Sequence, residues 1–209
     1  MFITLEGPEG SGKSSHIAPL AEELRQRGYD VVITREPGGT PIGDEIREVI
    51  LSLKNTDMHA TTEILLFQAG RAQHVHQLII PSLEAGKIVL CDRYADSTLA
   101  YQGYGHQTDL GKLSQMIEFA TGGLQPDLTL LLDVDVSVGL SRRSSAEDDS
   151  WNRLDAKAKD FHQRVRDGYH RMVSQQPERW VVIDAGQPLE KVQADILAVV
   201  LGKLAQQIK

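Results

Sequence analysis

Near its start the chain carries eight consecutive residues whose types and spacing suit the binding of phosphate. They match the pattern G-x-x-x-x-G-K-[ST] and are Gly7, Pro8, Glu9, Gly10, Ser11, Gly12, Lys13 and Ser14. Glycines allow successive backbone N–H groups to point into one concavity around phosphate oxygens, and the N-terminus of a following helix adds positive potential. Lys13 can reach the β and γ phosphates of a nucleotide, and the Ser14 hydroxyl can ligate Mg²⁺. The pattern predicts a binding site for a nucleoside triphosphate.

A second group of polar residues follows the second and third predicted strands. Because the carboxyl ends of parallel strands meet at one edge of a sheet, these residues are candidates for a second pocket beside the phosphate loop. An arginine such as Arg35 or Arg93 could equally pair with a carboxylate, so the convergence of the group on one rim is what favours a binding site. The group comprises Arg35, Glu36 and Pro37 after the second strand, and Asp92, Arg93, Ser97, Thr98, Tyr101 and Gln102 after the third.

One aromatic and one basic residue share a face of a predicted helix, because Phe67 and Arg71 are four residues apart. A ring and a guanidinium side by side could stack on a planar base and form hydrogen bonds with it. Phe67 could instead belong to the hydrophobic core, as phenylalanines on apolar helices more often do.

Short apolar runs alternate with amphipathic stretches along the whole chain. The runs that predict buried strands are residues 2–5, 31–34, 88–91, 128–132 and 181–183. The stretches that predict helices are 13–27, 42–53, 62–84 with a kink or break at Pro81, 113–119, one that ends near 173, and 189–204. Strands that alternate with helices favour an α/β fold, here a P-loop NTPase with a five-stranded parallel sheet and helices on both faces. A strand before the loop and a helix after it separate a P-loop from an ordinary glycine-rich turn.

Between Arg142 and Arg153 the apolar pattern gives way to a polar segment that includes Glu147, Asp148 and Asp149. Such a segment is typical of a flexible surface excursion. We expect a short lid at roughly residues 142–155 that brings positive charge to the phosphates. Three acids on a segment that closes over a triphosphate would be repulsive unless they point outward.

The composition limits the classes of protein to consider. The 209 residues carry 22 Lys and Arg against 29 Asp and Glu, a formal net charge of -7, and 41% are hydrophobic. This predicts a single domain, residues 1–209, with a buried core. An acidic surface argues against binding of nucleic acid, and no run reaches the roughly 18 apolar residues that a membrane helix needs. The N-terminus has no export signal and the single cysteine, Cys91, fits a reducing compartment, so we expect a cytoplasmic protein.

Three classes of P-loop protein compete. A regulatory GTPase needs an N/T-K-x-D motif and a D-x-x-G switch, and the sequence contains neither. The nearest match to the first motif, NRLD at residues 152–155, lacks the lysine. A motor or transport ATPase is usually larger. A small-molecule kinase needs an acceptor pocket and mobile positive charge, and the chain offers both. A kinase for another nucleotide or small acceptor, or a non-catalytic ATP-binding switch, remains an alternative.

The order of several motifs resembles that of bacterial thymidylate kinases. The motifs are TLEGPEGSGKSS, TREPGGT, LLFQAGRAQH, VLCDRY, STLAYQG, PDLTLLLDV and the dipeptide DA at residues 184–185. The resemblance spans nearly the whole chain. It implies the nucleoside-monophosphate-kinase fold, commonly as a homodimer. It also implies transfer of the γ-phosphoryl group of ATP to dTMP with Mg²⁺, which gives dTDP for dTTP synthesis.

The resemblance implies roles for the base-binding candidates. Phe67 would stack on thymine, and Arg71 would contact the edge of the base. Thr98 would be a second contact to the base, with Ser97 beside it.

It implies further roles around the sugar and the acceptor phosphate. Arg35 and Arg93 would hold this phosphate, close to Glu36 and Pro37 in the same rim. The other implied positions are Tyr101 under the sugar, where it disfavours a ribose 2′-hydroxyl, Gln102 next to it, Glu9 near the sugar 3′-hydroxyl and Asp92 near Mg²⁺ and its waters.

Members of this family carry a catalytic arginine either in the phosphate loop or in the lid. The variable positions of the loop, residues 8–11, hold no arginine, so the resemblance implies the lid-arginine subtype. Arg153 matches the D-R-[IF]-E at the end of the family's lid, and we expect it to act, with Arg143 as the next candidate. Because the acceptor phosphate is already an anionic nucleophile, we expect direct in-line transfer without a covalent intermediate. The catalytic candidates are Lys13, Glu9, Arg93, Arg153 and Arg143, with Ser14 and Asp92 at the metal.

Overall fold

The computed structural model describes residues 1–145, 152–155 and 157–207. In these ranges the strands are β1 (Phe2–Glu6), β2 (Val31–Arg35), β3 (Ile88–Asp92), β4 (Leu128–Asp133) and β5 (Trp180–Asp184). The helices are α1 (Lys13–Gln26), α2 (Pro41–Leu51), α3 (Ala60–His74), α4 (Ile80–Glu84), α5 (Ala95–Thr98), α6 (Leu110–Thr121), α7 (Val136–Ser144), α8 (Lys159–Gln175) and α9 (Leu189–Gln207). Two π-helical segments, Val75–Ile79 and Leu99–Gly105, follow α3 and α5.

The strands form one parallel sheet of five, in the order β2-β3-β1-β4-β5. In the register of the sheet, Ile3 of β1 is level with Leu90 of β3 and with Leu128 of β4. The central position of β1 places the loop after it between the ends of β3 and β4. The predicted α/β fold with a five-stranded parallel sheet is confirmed.

Helices cover both faces of the sheet, because successive side chains of a strand point to opposite sides. Ile3 and Leu5 of β1 belong to a core cluster with α1 and α9. On the opposite face Phe2 packs with the π-helical segment Val75–Ile79, and Leu131 of β4 packs with α8. Within the described ranges, no helix is long and apolar enough to span a membrane.

Three parts of the chain differ from the sequence-based expectation. The helix predicted at residues 62–84 stays helical but changes to π-helical geometry at Val75–Ile79, and Pro81 lies in the first turn of α4, where a proline is tolerated. No helix is predicted at residues 95–105, where α5 and the second π-helical segment lie, because π-helical turns do not repeat every 3.6 residues. Helix α7 extends to Ser144, inside the predicted lid, and residues 146–151 of that prediction lie outside the described residues.

Candidate active site

The phosphate loop joins β1 to α1 and owes its path to glycines. Gly7, Gly10 and Gly12 have φ values of 147°, 69° and 86°, which residues with a Cβ rarely adopt. The loop also lies directly on the backbone of α7, since a Cβ added at Gly10 would be 1.9 Å from the carbonyl oxygen of Gly139. The N-terminus of α1 follows at once. This is the strand–loop–helix context that the motif requires for phosphate binding.

Lys13, the first residue of α1, folds back over the loop. Its Nζ donates to the carbonyl oxygens of Gly7 at 3.1 Å and Pro8 at 3.0 Å, and to Ser11 Oγ at 3.1 Å. Burial and the neighbouring charge of Arg93 lower the pKa of Lys13 to about 8. The ammonium group is thus held at the loop by carbonyl dipoles, which phosphate oxygens can replace.

Two oxygens suited to a magnesium ion converge beside the loop. The Ser14 hydroxyl in α1 donates a hydrogen bond of 2.6 Å to Asp92 Oδ2 at the end of β3. Mg²⁺ prefers hard oxygen ligands and keeps several of its waters. The described residues contain no group of three or more His, Cys, Asp or Glu that could hold a metal. This pair therefore fits an ion held mainly by water and substrate phosphates.

Glu9, at a variable position of the loop, forms an ion pair with Arg93 whose Oε1–Nη2 distance is 3.0 Å. Tyr101 donates a hydrogen bond of 2.8 Å to the same oxygen, and its ring centre lies 4.9 Å from the Arg93 guanidinium carbon. Burial favours a higher pKa for Glu9, but the charges of Arg93 and Lys13 and the Tyr101 hydroxyl lower it to about 2. Arg93 also donates to Gly7 O at 3.0 Å, which ties this group to the phosphate loop.

Arg71 in α3 is almost fully buried and donates hydrogen bonds to residues of several elements. Its acceptors are Glu36 Oε2 at 2.8 Å, Gln68 Oε1 at 3.0 Å, Thr98 Oγ1 at 3.0 Å and Tyr94 O at 3.1 Å. A guanidinium has five N–H donors in a rigid fork. Four bonds of this kind fix its orientation.

Glu36 is held in turn by His74, whose Nδ1 lies 3.0 Å from Glu36 Oε1. The other ring nitrogen of His74, Nε2, lies 2.6 Å from Thr34 Oγ1. The side chains of Glu36 and His74 are both buried. The series from Thr34 to Arg71 therefore gives each buried polar group a partner, as such groups require.

The remaining rim candidates line the same cavity, of about 990 Å³. Phe67 is half-buried on its wall and does not belong to the core clusters. Arg35 is exposed, with its Nη2 3.6 Å from Asp44. Gln102 is buried and donates to Glu63 Oε1 at 2.7 Å. Pro37 and Ser97 complete the candidates on this wall.

The cavity continues on the other side of the phosphate loop, at the ends of β4 and β5. There Arg142 of α7 donates a hydrogen bond of 2.9 Å to Ala185 O. Gln187, Leu189 and Val192 also line this part. The loop after β1 therefore separates two wings of one cavity, since β1 lies between β3 and β4. No motif in the sequence assigns a ligand to the second wing.

Known proteins with the same arrangement are thymidylate kinases. The family model described as thymidylate kinase matches residues 5–196. The thymidylate kinase of Thermomicrobium roseum is 52% identical over 199 residues, which cover 95% of this chain and 93% of the relative. That of Roseiflexus castenholzii is 51% identical over 216 residues, with 98% and 94% covered. The chain belongs to the thymidylate kinase family. The crystal structure of thymidylate kinase from Ehrlichia chaffeensis matches with a TM-score of 0.78 and 35% identity, over 96% of this chain and 98% of that one.

In this member of the thymidylate kinase family, the two candidate lid arginines have different surroundings. Arg143 lines the cavity, and its Nη2 lies 3.2 Å from Asp155 Oδ2. Arg153 has only 6% exposure and pairs with Glu63 at an Nη2–Oε2 distance of 2.5 Å. The residues on either side of Arg153 line the cavity, whereas Arg153 does not. The structure therefore places the Arg143 side chain at the cavity and buries that of Arg153 against Glu63, and which of them acts in catalysis stays a prediction.

Glu6, the last residue of β1, lies beside the thymidylate kinase site and is not among the predicted site residues, although the motif TLEGPEGSGKSS contains it. Its carboxylate accepts hydrogen bonds from the Tyr94 backbone N–H at 2.7 Å, the Ser97 hydroxyl at 2.6 Å and the Tyr169 hydroxyl at 2.8 Å. Burial, and then the charge of Asp96, raise the pKa of Glu6 to about 7. An acid at the end of an apolar strand is a usable signal, because it needs buried partners. Its partner Tyr169 lies far away in the sequence, and no sequence signal indicates that the two residues are in contact.

Proposed function

We propose that this protein transfers the γ-phosphoryl group of ATP to dTMP, giving ADP and dTDP for dTTP synthesis. One observation carries the proposal: a P-loop with its lysine shares one continuous cavity with a base pocket built on α3. A nucleotide-binding switch needs only the loop. Phosphoryl transfer also needs an acceptor held in line with the γ-phosphate, and the wing of the cavity beside α3 offers that place.

The base pocket suits thymine in shape and in hydrogen bonding. Phe67 offers a ring on the cavity wall for stacking. Arg71 uses four of its five N–H groups for bonds within the described part of the chain, which leaves one for a carbonyl oxygen of the base. Thr98 accepts one of those four bonds and so orients the arginine, with Ser97 beside it.

The sugar and the acceptor phosphate belong next to the phosphate loop. We assign the acceptor phosphate to Arg93, which lies against the loop, and to Arg35, which is exposed at the end of β2 and lines the same cavity. Tyr101 is fixed by its bond to Glu9 and disfavours a ribose 2′-hydroxyl by occupying the space beneath the sugar. Because its pKa is lowered to about 2, Glu9 is a weak base, and we assign it the orientation of Arg93 and Tyr101. Gln102 supports this wall from its bond to Glu63.

ATP takes the other wing and the loop. Its base lies between Arg142 and Gln187 in this proposal, and its phosphates occupy the loop, where Lys13 exchanges carbonyl oxygens for phosphate oxygens. Ser14 and Asp92 are the residues that would hold Mg²⁺ with its waters. The ion, when bound, neutralises charge on the β and γ phosphates.

The transfer itself requires alignment and positive charge more than proton abstraction, because the attacking phosphate oxygen is already anionic. Lys13 and Arg93 approach the reacting groups from the loop side. We propose that Arg143, in the cavity wall, supplies the charge of the lid, which spans roughly residues 142–155.

We also propose that the protein works as a homodimer of single-domain subunits in the cytoplasm. Helices α2, α3 and α6 pack side by side and carry exposed apolar side chains. Phe119 of α6 is 93% exposed, and Leu65 of α3 and Val49 of α2 are about half exposed. An apolar face of this kind fits burial against a second copy. The single cysteine supports a reducing compartment.

The experiment that tests the function is a substrate panel with ATP and Mg²⁺, in which ADP release is measured with dTMP, dUMP, UMP, CMP and AMP. We expect the highest kcat/KM with dTMP. Absence of turnover with dTMP refutes the proposal. Preference for another acceptor assigns the base pocket to that acceptor, and no turnover with any of them favours an ATP-binding switch.

A further inference from the structure

Glu63 of α3 is a buried carboxylate, 1% exposed, that no proposed step uses directly. It accepts hydrogen bonds from Arg153 Nη2 at 2.5 Å and from Gln102 Nε2 at 2.7 Å, and His106 Nε2 lies 3.5 Å from it. Burial favours a higher pKa for Glu63, but the nearby His106 ring and the hydrogen bonds from Gln102 and Arg153 lower it to about 2. One charged carboxylate thus joins α3, the second π-helical region and the end of the predicted lid.

Arg153 holds a second element as well. Its Nε donates to the Ile50 carbonyl at 3.1 Å and its backbone N–H to the Leu51 carbonyl at 3.4 Å, while Nη2 lies 3.7 Å from Met58 Sδ. Ile50 and Leu51 are the last residues of α2, and the final carbonyls of a helix have no partner within it. The guanidinium of Arg153 satisfies the Ile50 carbonyl, its backbone N–H satisfies that of Leu51, and the positive charge complements the negative end of the helix dipole.

Glu63 is also placed to influence the nucleoside pocket. It precedes Phe67 by four residues and Arg71 by eight on the same helix, so the three lie along one face of α3. Its partner Gln102 is adjacent to Tyr101 in the second π-helical segment. A substitution at Glu63 should therefore disturb two walls of the part of the cavity that we assign to dTMP.

We propose that Arg153 is a positioning residue, which anchors the carboxyl-terminal end of the lid to the acceptor pocket through Glu63 and does not touch the transferred phosphoryl group. Moving the Arg153 side chain to the triphosphate would remove the charged partner of a buried carboxylate and the donor to the Ile50 carbonyl, which is unfavourable. This inference rests on the proposed function for its substrate measurements.

The test uses Arg153→Met and Glu63→Gln, singly and combined, with Arg143→Met as the matched control. The dTMP dissociation constant is measured by calorimetry without ATP, and kcat is measured with both substrates. We expect each of the first two variants to weaken dTMP binding by roughly tenfold, since buried hydrogen bonds that support the pocket are lost. The combined variant should lose less binding free energy than the sum of the two single losses, because both changes remove the contact between Arg153 and Glu63. Arg143→Met should lower kcat and leave dTMP binding without ATP unchanged.

Measurements of dTMP affinity and of kcat separate the anchor from a direct contact with the phosphates. If Arg153→Met keeps its dTMP affinity, the anchor is refuted, and a fall in kcat of roughly 100-fold in that variant assigns Arg153 to the phosphates. If the Met variant does not fold, Arg153→Lys keeps the positive charge but cannot bridge Ile50 and Glu63. The anchor then predicts weaker dTMP binding, whereas a phosphate contact predicts a loss in kcat alone.

Failure of the proposed function is distinguishable from failure of the anchor. If the unaltered protein neither binds nor phosphorylates dTMP, the function is refuted and thermal unfolding still tests the contact. The anchor predicts that the losses in Tm from Arg153→Met and Glu63→Gln are smaller in combination than their sum. Additive losses overturn it.

Discussion

A methyl group added at Gly139 should disturb the phosphate loop from behind. In α7, the Cβ of an alanine at this position would lie 2.2 Å from the carbonyl oxygen of Glu9 and 3.3 Å from Val134 Cγ1. Close contacts between carbon and carbonyl oxygen are usually about 3.3–3.6 Å, so the loop and the helix must separate by about 1 Å. The atoms to be moved are backbone atoms of the loop, which cannot rotate away as the end of a side chain can.

The size of the effect follows from the chemistry of the loop. A displacement of about 1 Å in groups that align reactants can cost on the order of 100-fold in rate. We therefore expect Gly139→Ala to lower kcat/KM for ATP by roughly 100-fold. The fold should survive, because alanine favours a helix interior by up to about 1 kcal/mol over glycine and offsets part of the strain.

The assay is steady-state ADP release with ATP varied at saturating dTMP, and Gly202→Ala is the matched control. Gly202 is also helical, in α9, and a Cβ there meets nothing within 4 Å. The control should keep the kinetics of the unaltered protein and gain slightly in stability. Unchanged kcat/KM for ATP in Gly139→Ala would show that the loop tolerates the displacement and that the contact with α7 has no functional weight.

Four other outcomes are expected. ATP binding should be coupled to proton uptake by Lys13 near about pH 9 and not near about pH 6, because the pKa of Lys13 is lowered to about 8 and bound phosphates favour its charged form. Calorimetry in buffers of different ionisation enthalpy measures the number of protons taken up, and equal uptake at both pH values contradicts the expectation. Phe67→Ala should raise the KM for dTMP roughly 10- to 100-fold through loss of stacking, and a rise in the KM for ATP instead would place the base elsewhere. Phe119→Glu should convert dimer to monomer in sedimentation experiments, and an unaltered sedimentation coefficient argues against this face. The pKa of Glu6 is raised from 4.5 to about 7, so its protonation stabilises the fold below about pH 4.5 and this stabilisation is lost as pH rises through 7. In denaturant titrations, the free energy of unfolding should therefore fall by about 3 kcal/mol between these pH values, and Glu6→Gln should remove this fall. An identical pH profile in the variant contradicts this.

The fold was largely predictable because its signals are local. Each strand is a short apolar run, and the run predicted at residues 2–5 differs by one residue from β1, Phe2–Glu6. The same method fails at residues 95–105, since it looks for a repeat of 3.6 residues and the segment Leu99–Gly105 is π-helical. Periodicity reports an element only where the backbone follows the assumed period.

The candidate site was likewise predictable only where its residues are close together in the sequence. The phosphate loop is contiguous, so its residues and spacing carry most of its geometry. The partner of Arg153 is Glu63, which lies 90 residues away, and nothing in NRLD indicates whether its arginine points into the cavity or away from it. Motif position therefore predicts that a charged residue is near the lid, but the buried partner decides what it can reach.

The net charge of -7 is consistent with two anionic substrates because the arginines around the cavity are placed by carboxylates. Arg93 pairs with Glu9, Arg71 pairs with Glu36, and Arg143 pairs with Asp155. Each pair reduces the long-range positive field that would steer anions from solution. It also fixes a guanidinium in one orientation before substrate arrives, so less reorganisation is needed when the phosphates bind. Recognition in this cavity then depends on the orientation of N–H groups more than on total charge, so an acidic chain can still bind anionic substrates.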